Sequence, residues 1–207
     1  GLGYFYLGQY DKVIDSYQKR LTIAREIRDR NGEGITLGNL GSTYLFLGKY
    51  DKAIEFYLQS LAIDRETKDR LGEAKSQGNL GSAYESLGKY DKAIEFHRQA
   101  IAIFRESRDR GGEGISLVNL GNAYDSLGKY DKAIESYLQS LAIAREIKDR
   151  YGEGAALGNL GASYNSLKKY DKAIEFYLQY LAIAREIKNR HGEGIALNNL
   201  CLLYTSR

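Results

Sequence analysis

The chain has one cysteine, no proline and no methionine among its 207 residues. The single cysteine, Cys201, excludes an internal disulfide bond, which fits a reducing compartment. No segment reaches the roughly 18 consecutive apolar residues of a membrane span, and the N-terminus lacks the basic region and apolar core of a signal peptide. We therefore expect a cytoplasmic protein without a membrane segment.

The sequence also lacks an excess of charge of one sign. Lysine and arginine number 30, aspartate and glutamate number 27, and the two signs alternate closely in segments such as REIKDR. No basic block indicates nucleic acid or an anionic membrane as a partner. What is present, 43% hydrophobic and 28% charged residues, is typical of a globular domain with a buried core.

A turn recurs along the chain at a constant spacing of forty residues. It reads LGQYDK once, LGKYDK three times and LKKYDK once, with its tyrosines at Tyr10, Tyr50, Tyr90, Tyr130 and Tyr170. A strict period of this length predicts a solenoid, in which each unit buries its apolar face only against its neighbours. Residue 1 is not methionine and falls inside a unit, so we interpret the chain as a fragment of a longer protein.

Each unit is predicted to form two helices. In the second, helix B, the apolar residues expected to form one buried stripe are Ala53, Ile54, Tyr57, Leu58, Leu61 and Ala62. In the first, helix A, the expected core residues are Leu37, Leu40, Tyr44 and Leu47. Gly48 then ends helix A as a left-handed residue, and Lys168 replaces this glycine in the last turn. We expect a positive φ at Lys168, at a cost of roughly 1 kcal/mol, and the least stable turn there.

Glycine also occupies the middle of the A helices, at Gly41, Gly81, Gly121 and Gly161. A helical glycine costs about 1 kcal/mol relative to alanine, so we expect a close approach of helix B to offset this cost. Charged residues lie where helix B ends. Glu66 and Arg70 are four apart with the acid first, which predicts an ion pair within a helix, and Asp69 is interpreted as a solvated partner at the junction.

The segment NLGSTYLFLGKYDKAIEFYLQSL resembles the tetratricopeptide repeat. The matching residues are Leu40, Gly41, Tyr44, Gly48, Tyr50, Ala53, Tyr57 and Leu61. The usual unit has 34 residues, and the longer unit here resembles the repeats of kinesin light chains and of the Pins/LGN adaptors. The resemblance implies an all-α, right-handed superhelical solenoid of antiparallel helix pairs. Because no proline closes the unit, helix B is expected to continue smoothly into a tight junction at DRxGE.

We expect residues 1–207 to form a single solenoid. A partial helix A over 1–8 precedes units of helix B and helix A at about 10–48, 50–88, 90–128 and 130–168. A helix B at about 170–188 and a final helix A at about 190–207 complete the chain. In this family the A helices line a concave groove, and the resemblance implies that a peptide is held there.

The candidate ligand contacts lie on the side of helix A opposite its predicted core. They pass from an aromatic and aliphatic end, Phe5, Tyr6, Ile35, Leu45 and Phe46, to a mainly polar middle, Lys75, Ser82, Glu85, Ile115, Asn122, Asp125 and Asn165. We expect basic ligand side chains near Glu85 and Asp125, and apolar ones near Phe5, Tyr6, Leu45 and Phe46. Alternatively, Phe5 and Tyr6 cover a missing upstream repeat.

A ladder of amides borders the same face, at Asn39, Asn79, Asn119, Asn159 and Asn199. Each amide either bonds a peptide backbone without reading its sequence or ties its helix to the next unit. The basic residues that grip a carboxylate or an acidic ligand in related repeats are absent from these positions, apart from Lys75.

No residue is predicted to be catalytic, and no cofactor or metal site is expected. The GEG segments lack the glycine spacing of a phosphate loop, and His97 takes the place of a packed tyrosine. Cys201 has no positioned base in the repeat pattern.

Three functions remain open. The first is a scaffold that binds a peptide or protein segment of unknown identity in the groove. The second is an architectural module that associates with itself end to end. The third is the regulatory array of a larger signalling protein, whose effector domain, of an NTPase or caspase-like kind, lies elsewhere.

Overall fold

The computed structural model describes residues 10–205 of the chain. This range contains ten α-helices and no strand, which confirms the all-α class and the repeated helix pairs. In chain order they are α1 Tyr10–Glu26, α2 Arg30–Phe46, α3 Tyr50–Glu66, α4 Arg70–Ser86, α5 Tyr90–Glu106, α6 Arg110–Ser126, α7 Tyr130–Glu146, α8 Arg150–Ser166, α9 Tyr170–Glu186 and α10 Arg190–Thr205. Even-numbered helices are the A helices and odd-numbered helices the B helices. The predicted partial helix at 1–8 lies outside the described residues.

The described residues fall into two compact units, divided between Ser107 and Arg108. The first unit contains α1 to α5, and the second contains α6 to α10. Within each unit every helix packs against the helices that precede and follow it in the chain. The helices have 17 residues each, apart from α10 with 16. No helix among residues 10–205 combines the length and the apolar character that crossing a membrane requires.

The A helices pack closely against the aromatic residues of the B helices, as the recurring glycines predicted. A Cβ added at Gly41 would lie 2.7 Å from ring carbons of Tyr57, and one at Gly121 would lie 2.4 Å from the ring of Tyr137. No real side chain tolerates such distances, so the B-helix ring rests directly on the A-helix backbone. The tyrosine ring therefore occupies the space that a side chain at the glycine would need.

The predicted buried stripe of helix B is correct for four residues and wrong for two. Ala53, Ile54, Tyr57 and Leu61 are buried. Leu58 is 44% exposed, and Ala62 is also exposed. At 100° per residue, Ala62 lies 180° from Ala53 and faces outward. The second buried row is instead formed by Ser60, Ile63 and Asp64, because helix B packs between two A helices.

The missing proline led us to expect that helix B continues smoothly into the junction, but the helix ends before it. Helix α3 ends at Glu66, and Lys68 adopts a left-handed conformation with φ 59°. The backbone N–H of Asp69 then donates to the carbonyl of Asp64 at 2.8 Å, the longer bond of a Schellman end. Basic residues take the same conformation at the other junctions, at Arg28, Arg108, Lys148 and Lys188.

The turns after the A helices carry the left-handed residue that the sequence predicted. Gly48, Gly88 and Gly128 have φ of 69°, 74° and 69°. Lys168 adopts φ 57° in the fourth turn, which confirms the expected conformation. Its expected lower stability stays a prediction.

The charged residues at the junctions do not form the predicted ion pair within a helix. Asp69 is no solvated partner, because its carboxylate caps α4 by accepting the N–H of Gly72 at 2.8 Å. Arg70 begins α4 and therefore cannot pair with Glu66 inside one helix. It donates instead to buried Glu73 at 2.5 Å and, one repeat further on, to Glu106 at 2.7 Å. These arginines thus link neighbouring repeats.

Candidate functional site

In the first unit the outward side of α2 carries large apolar residues. Ile35 is 58% exposed and Phe46 is 60% exposed. Phe46 lies eleven residues after Ile35, which is 20° more than three full turns at 100° per residue. Both therefore lie on one side of the helix, with Asn39 and Ser42 between them. Leu45 is half-buried and packs against the core. The predicted contacts Phe5 and Tyr6 lie outside the described residues.

The next A helix, α4, presents a different surface. Lys75 is exposed at the position of Ile35, and Ser82 and Glu85 are half-buried at the positions of Ser42 and Leu45. Nε2 of His97 lies 4.0 Å from Oε2 of Glu85. Burial raises the pKa of Glu85, and it lowers the pKa of His97 to about 4. Glu85 is thus a partly desolvated acid that would gain from a neighbouring cation.

His97 stands where the neighbouring repeat has a tyrosine. Tyr57 is long enough to donate its hydroxyl to Oγ of Ser42 on the outward side of α2, at 3.0 Å. The shorter ring of His97 is fully buried, and neither ring nitrogen has a hydrogen-bond partner among the described residues. The substitution therefore leaves Ser82 and Glu85 without the hydroxyl that a tyrosine would supply.

In the second unit the helices α6, α7 and α8 line a polar pocket of about 220 Å³. Its lining residues are Asn122, Asp125, Ser126, Tyr137, Asn159 and Ala162. Oδ1 of Asn122 accepts from the hydroxyl of Tyr137 at 2.7 Å and from Nδ2 of Asn159 at 3.3 Å. Oδ1 of Asp125 accepts from Oγ of Ser163 at 2.7 Å. The pocket is rich in oxygen acceptors and suits a ligand that brings hydrogen-bond donors or a positive charge.

The amide ladder is half-buried along its whole described length. Its members are Asn39, Asn79, Asn119, Asn159 and Asn199. At Asn159 the amide nitrogen donates to Oδ1 of Asn122 and so connects α8 with α6. Ile115 on α6 and Asn165 on α8 are both exposed.

Sequence reasoning missed the hydroxyl groups that reach this face from the B helices. Tyr57 bonds Ser42 and Tyr137 bonds Asn122, in each case across fifteen residues. The signal in the sequence is that each of these tyrosines follows a serine or an asparagine of the preceding A helix by fifteen residues. Gln77 lies in the core at the position that Leu37 occupies one repeat earlier, and its Oε1 has no partner among the described residues.

The comparisons with known proteins agree with this geometry. Sequence models of the tetratricopeptide repeat match residues 1–66, 33–106 and 72–146, and a second model of that repeat matches residues 118–186. No curated protein matches the sequence.

Solved structures show the same fold at low sequence identity. A putative kinesin light chain with nearly identical TPR-like repeats from Podosopora anserina has a TM-score of 0.73 at 23% identity, covering 88% of this chain and 91% of its own. A signal transduction ATPase with numerous domains and a tetratricopeptide repeat sensor, from Pyrococcus horikoshii, has a TM-score of 0.84 at 21% identity, covering 97% and 31%. A Rap protein complexed with competence and sporulation factor has a TM-score of 0.80 at 18% identity, covering 99% and 60%.

Proposed function

We propose that this chain, which belongs to the tetratricopeptide-repeat family, binds a peptide or protein segment along the outward side of its A helices. The observation that carries the proposal is the exposure of Ile35 and Phe46 on one side of α2, at 58% and 60%. Large apolar side chains that share an exposed face are typical of an interaction surface. The Rap neighbour, a protein complexed with competence and sporulation factor, is consistent with such a role.

The chemistry of each unit suggests which segment would bind. Ile35 and Phe46 are separated by about 16 Å along the helix, at 1.5 Å per residue, which is about the length of five extended residues. Apolar ligand side chains at both ends of such a segment would cover them. A lysine or arginine beside Glu85 would offset the desolvation of that carboxylate, and the acceptors around Asp125 favour the same ligand charge.

The proposed module binds without catalysing a reaction, and we place it in the cytoplasm, where a chain with one cysteine needs no disulfide. A second candidate is a sensor array within a larger signalling protein. The likeness to the Pyrococcus horikoshii protein, which carries a tetratricopeptide repeat sensor, favours it, and this chain would then correspond to 31% of such a protein. End-to-end self-association stays a third possibility.

The test replaces the exposed apolar pair by charge in the variant Ile35→Glu with Phe46→Glu. Peptides are selected from a random displayed library against the natural chain, and affinities are measured by fluorescence polarisation. We expect at least roughly tenfold weaker binding, because each lost apolar contact contributes about 1.5 kcal/mol or more.

The matched control is Leu58→Glu, at an exposed leucine on a B helix. Circular dichroism should show unchanged helicity in both variants. Equal affinity in the natural chain and the double variant would overturn the proposed face. Sedimentation equilibrium on the same samples tests self-association, since assembly that survives the double substitution would favour the architectural role.

A further inference from the structure

A second cavity in the second unit has a different character from the polar pocket. It has a volume of about 150 Å³ and lies between α6, α7 and the first turns of α8. Its apolar lining includes Ile115, Val118, Ile143, Ala144, Ile147 and Ala155. Ile115 is 65% exposed on the outward side of α6, so this lining is continuous with the proposed binding face.

Two polar groups at this cavity are already engaged within the fold. Oγ of Ser140 donates to the carbonyl of Gly114 at 3.0 Å. Oδ1 of Asp149 accepts the N–H of Gly152 at 3.0 Å, where it caps α8. The amide of Asn119 also lines the cavity, and the rest of the lining is mainly hydrocarbon.

The next repeat shows what fits such a space, because Tyr180 replaces Ser140 there. A Cβ added at Gly154 or Gly158 would lie 3.4 Å from the Tyr180 ring, and one at Gly192 would lie 2.9 Å from its hydroxyl. Forty residues earlier, the corresponding residues Gly114, Val118 and Gly152 all line the cavity. The cavity thus corresponds to the volume that the Tyr180 side chain fills one repeat later.

In two other repeats, the side chain at the position equivalent to Ala144 fills the corresponding volume. Phe104 stands there in α5, is buried and packs with Ala74 and Ala100. Asp64 stands there in α3, is buried and accepts from Oγ of Ser76 at 2.5 Å. In α7 both positions carry small residues, Ser140 and Ala144, and the space stays open.

We propose that this cavity receives one aromatic side chain of the bound partner, of phenylalanine or tyrosine size. The inference rests on the proposed function and adds a specificity pocket to it. An apolar cavity of about 150 Å³ accepts a benzene ring, and buried aromatic rings contribute strongly to binding. The Tyr180 ring, which occupies the equivalent volume one repeat later, shows that an aromatic ring fits this space and how it is oriented.

The proposal is tested with variants that introduce the larger residues found at the equivalent positions of other repeats. Ser140→Tyr copies α9, and Ala144→Phe copies α5. Because Val118 stands where the Tyr180 repeat has Gly158, Ser140→Tyr is also made together with Val118→Gly, which completes the copy. The control is Tyr180→Phe, which keeps a ring in the neighbouring repeat.

The first readout uses p-cresol, the side-chain analogue of tyrosine, with NMR spectra of isoleucine methyl groups. We expect saturable shifts at Ile143 and Ile147, smaller shifts at the sibling residues Ile183 and Ile187, and loss of binding in the filled variants. An absence of shifts in the natural chain, or shifts that persist after filling, would overturn the proposal.

The second readout uses peptides selected against the natural chain. We expect an aromatic residue in them whose replacement by alanine weakens binding roughly tenfold or more, and no further loss when it is combined with Ser140→Tyr. Peptides that bind the filled variants as tightly as the natural chain would overturn the pocket and leave the proposed function standing. If no peptide binds the natural chain, the proposed function fails, and the docking inference fails with it even where p-cresol binds.

Discussion

Two glycines in helix α4 allow the close approach of the B helix to be measured with an internal control. A Cβ added at Gly78 would have no neighbouring atom within 4 Å. A Cβ added at Gly81 would lie 2.5 Å from Cε1 of His97 and 2.7 Å from each ring nitrogen. The His97 ring is fully buried, so it cannot swing into solvent to make room.

The two substitutions to alanine share one favourable effect and differ in the other. Each gains about 1 kcal/mol of helix propensity. The methyl group at Gly81 also overpacks the core, which costs about 1–3 kcal/mol and toward the upper end for so short a contact. We expect Gly78→Ala to raise the free energy of unfolding by about 1 kcal/mol and Gly81→Ala to lower it by up to about 2 kcal/mol. Since the propensity effect cancels, the difference between the variants measures the contact with His97.

Urea denaturation followed by circular dichroism gives the midpoints of both variants. Stacked repeats need not unfold in one step, so hydrogen exchange of the α4 amides should accompany the midpoints. Equal stability of the two variants would refute the idea that the His97 ring rests on the α4 backbone. A destabilising Gly78→Ala would refute the open space at that position.

Three departures from the repeat pattern give further predictions. Gln77→Leu should raise the free energy of unfolding by about 1–3 kcal/mol, because it removes a buried carbonyl without a partner; an unchanged denaturation midpoint would contradict this. His97 has a pKa of about 4 when folded and 6.5 as the ordinary value, so the unfolded state binds the proton first and stability falls by at most about 3 kcal/mol between pH 6.5 and 4. His97→Tyr should remove this loss in denaturation measured across pH, and a loss of the same size in the variant would contradict its assignment to His97. Lys168→Gly should stabilise its turn by about 1 kcal/mol in thermal denaturation, and the reverse change Gly128→Lys should cost about the same.

The repeat made the fold predictable, because a forty-residue period with two helical patterns leaves few ways to bury its apolar residues. The core of the B helices was harder to predict. Leu58 and Ala62 fit a simple four-residue spacing from Ile54, yet both are exposed. Helix B packs on two A helices, so small and polar residues such as Ser60 occupy buried positions that an apolar pattern does not reveal.

The prediction for the junction between helix B and the next helix A was wrong for a different reason. Glu66 and Arg70 have the right separation for a helical pair only if one helix contains both. The left-handed Lys68 between them ends one helix, and the Asp69 cap begins the next. A lysine with a positive φ is uncommon enough that sequence alone favours a continuous helix there.

The candidate face was partly accessible to sequence reasoning, since helical geometry places Ile35 and Phe46 outward and both are exposed. The apolar cavity was not, because it arises from two B-helix positions, Ser140 and Ala144, that are small together in one repeat. A closed cavity of this size would cost about 3–4 kcal/mol at about 24 cal/mol per Å³, and an open one somewhat less. Tyr180 shows that the same scaffold can fill the space. The unfilled cavity beside an exposed face is therefore consistent with the proposal that the aromatic ring is supplied by a partner.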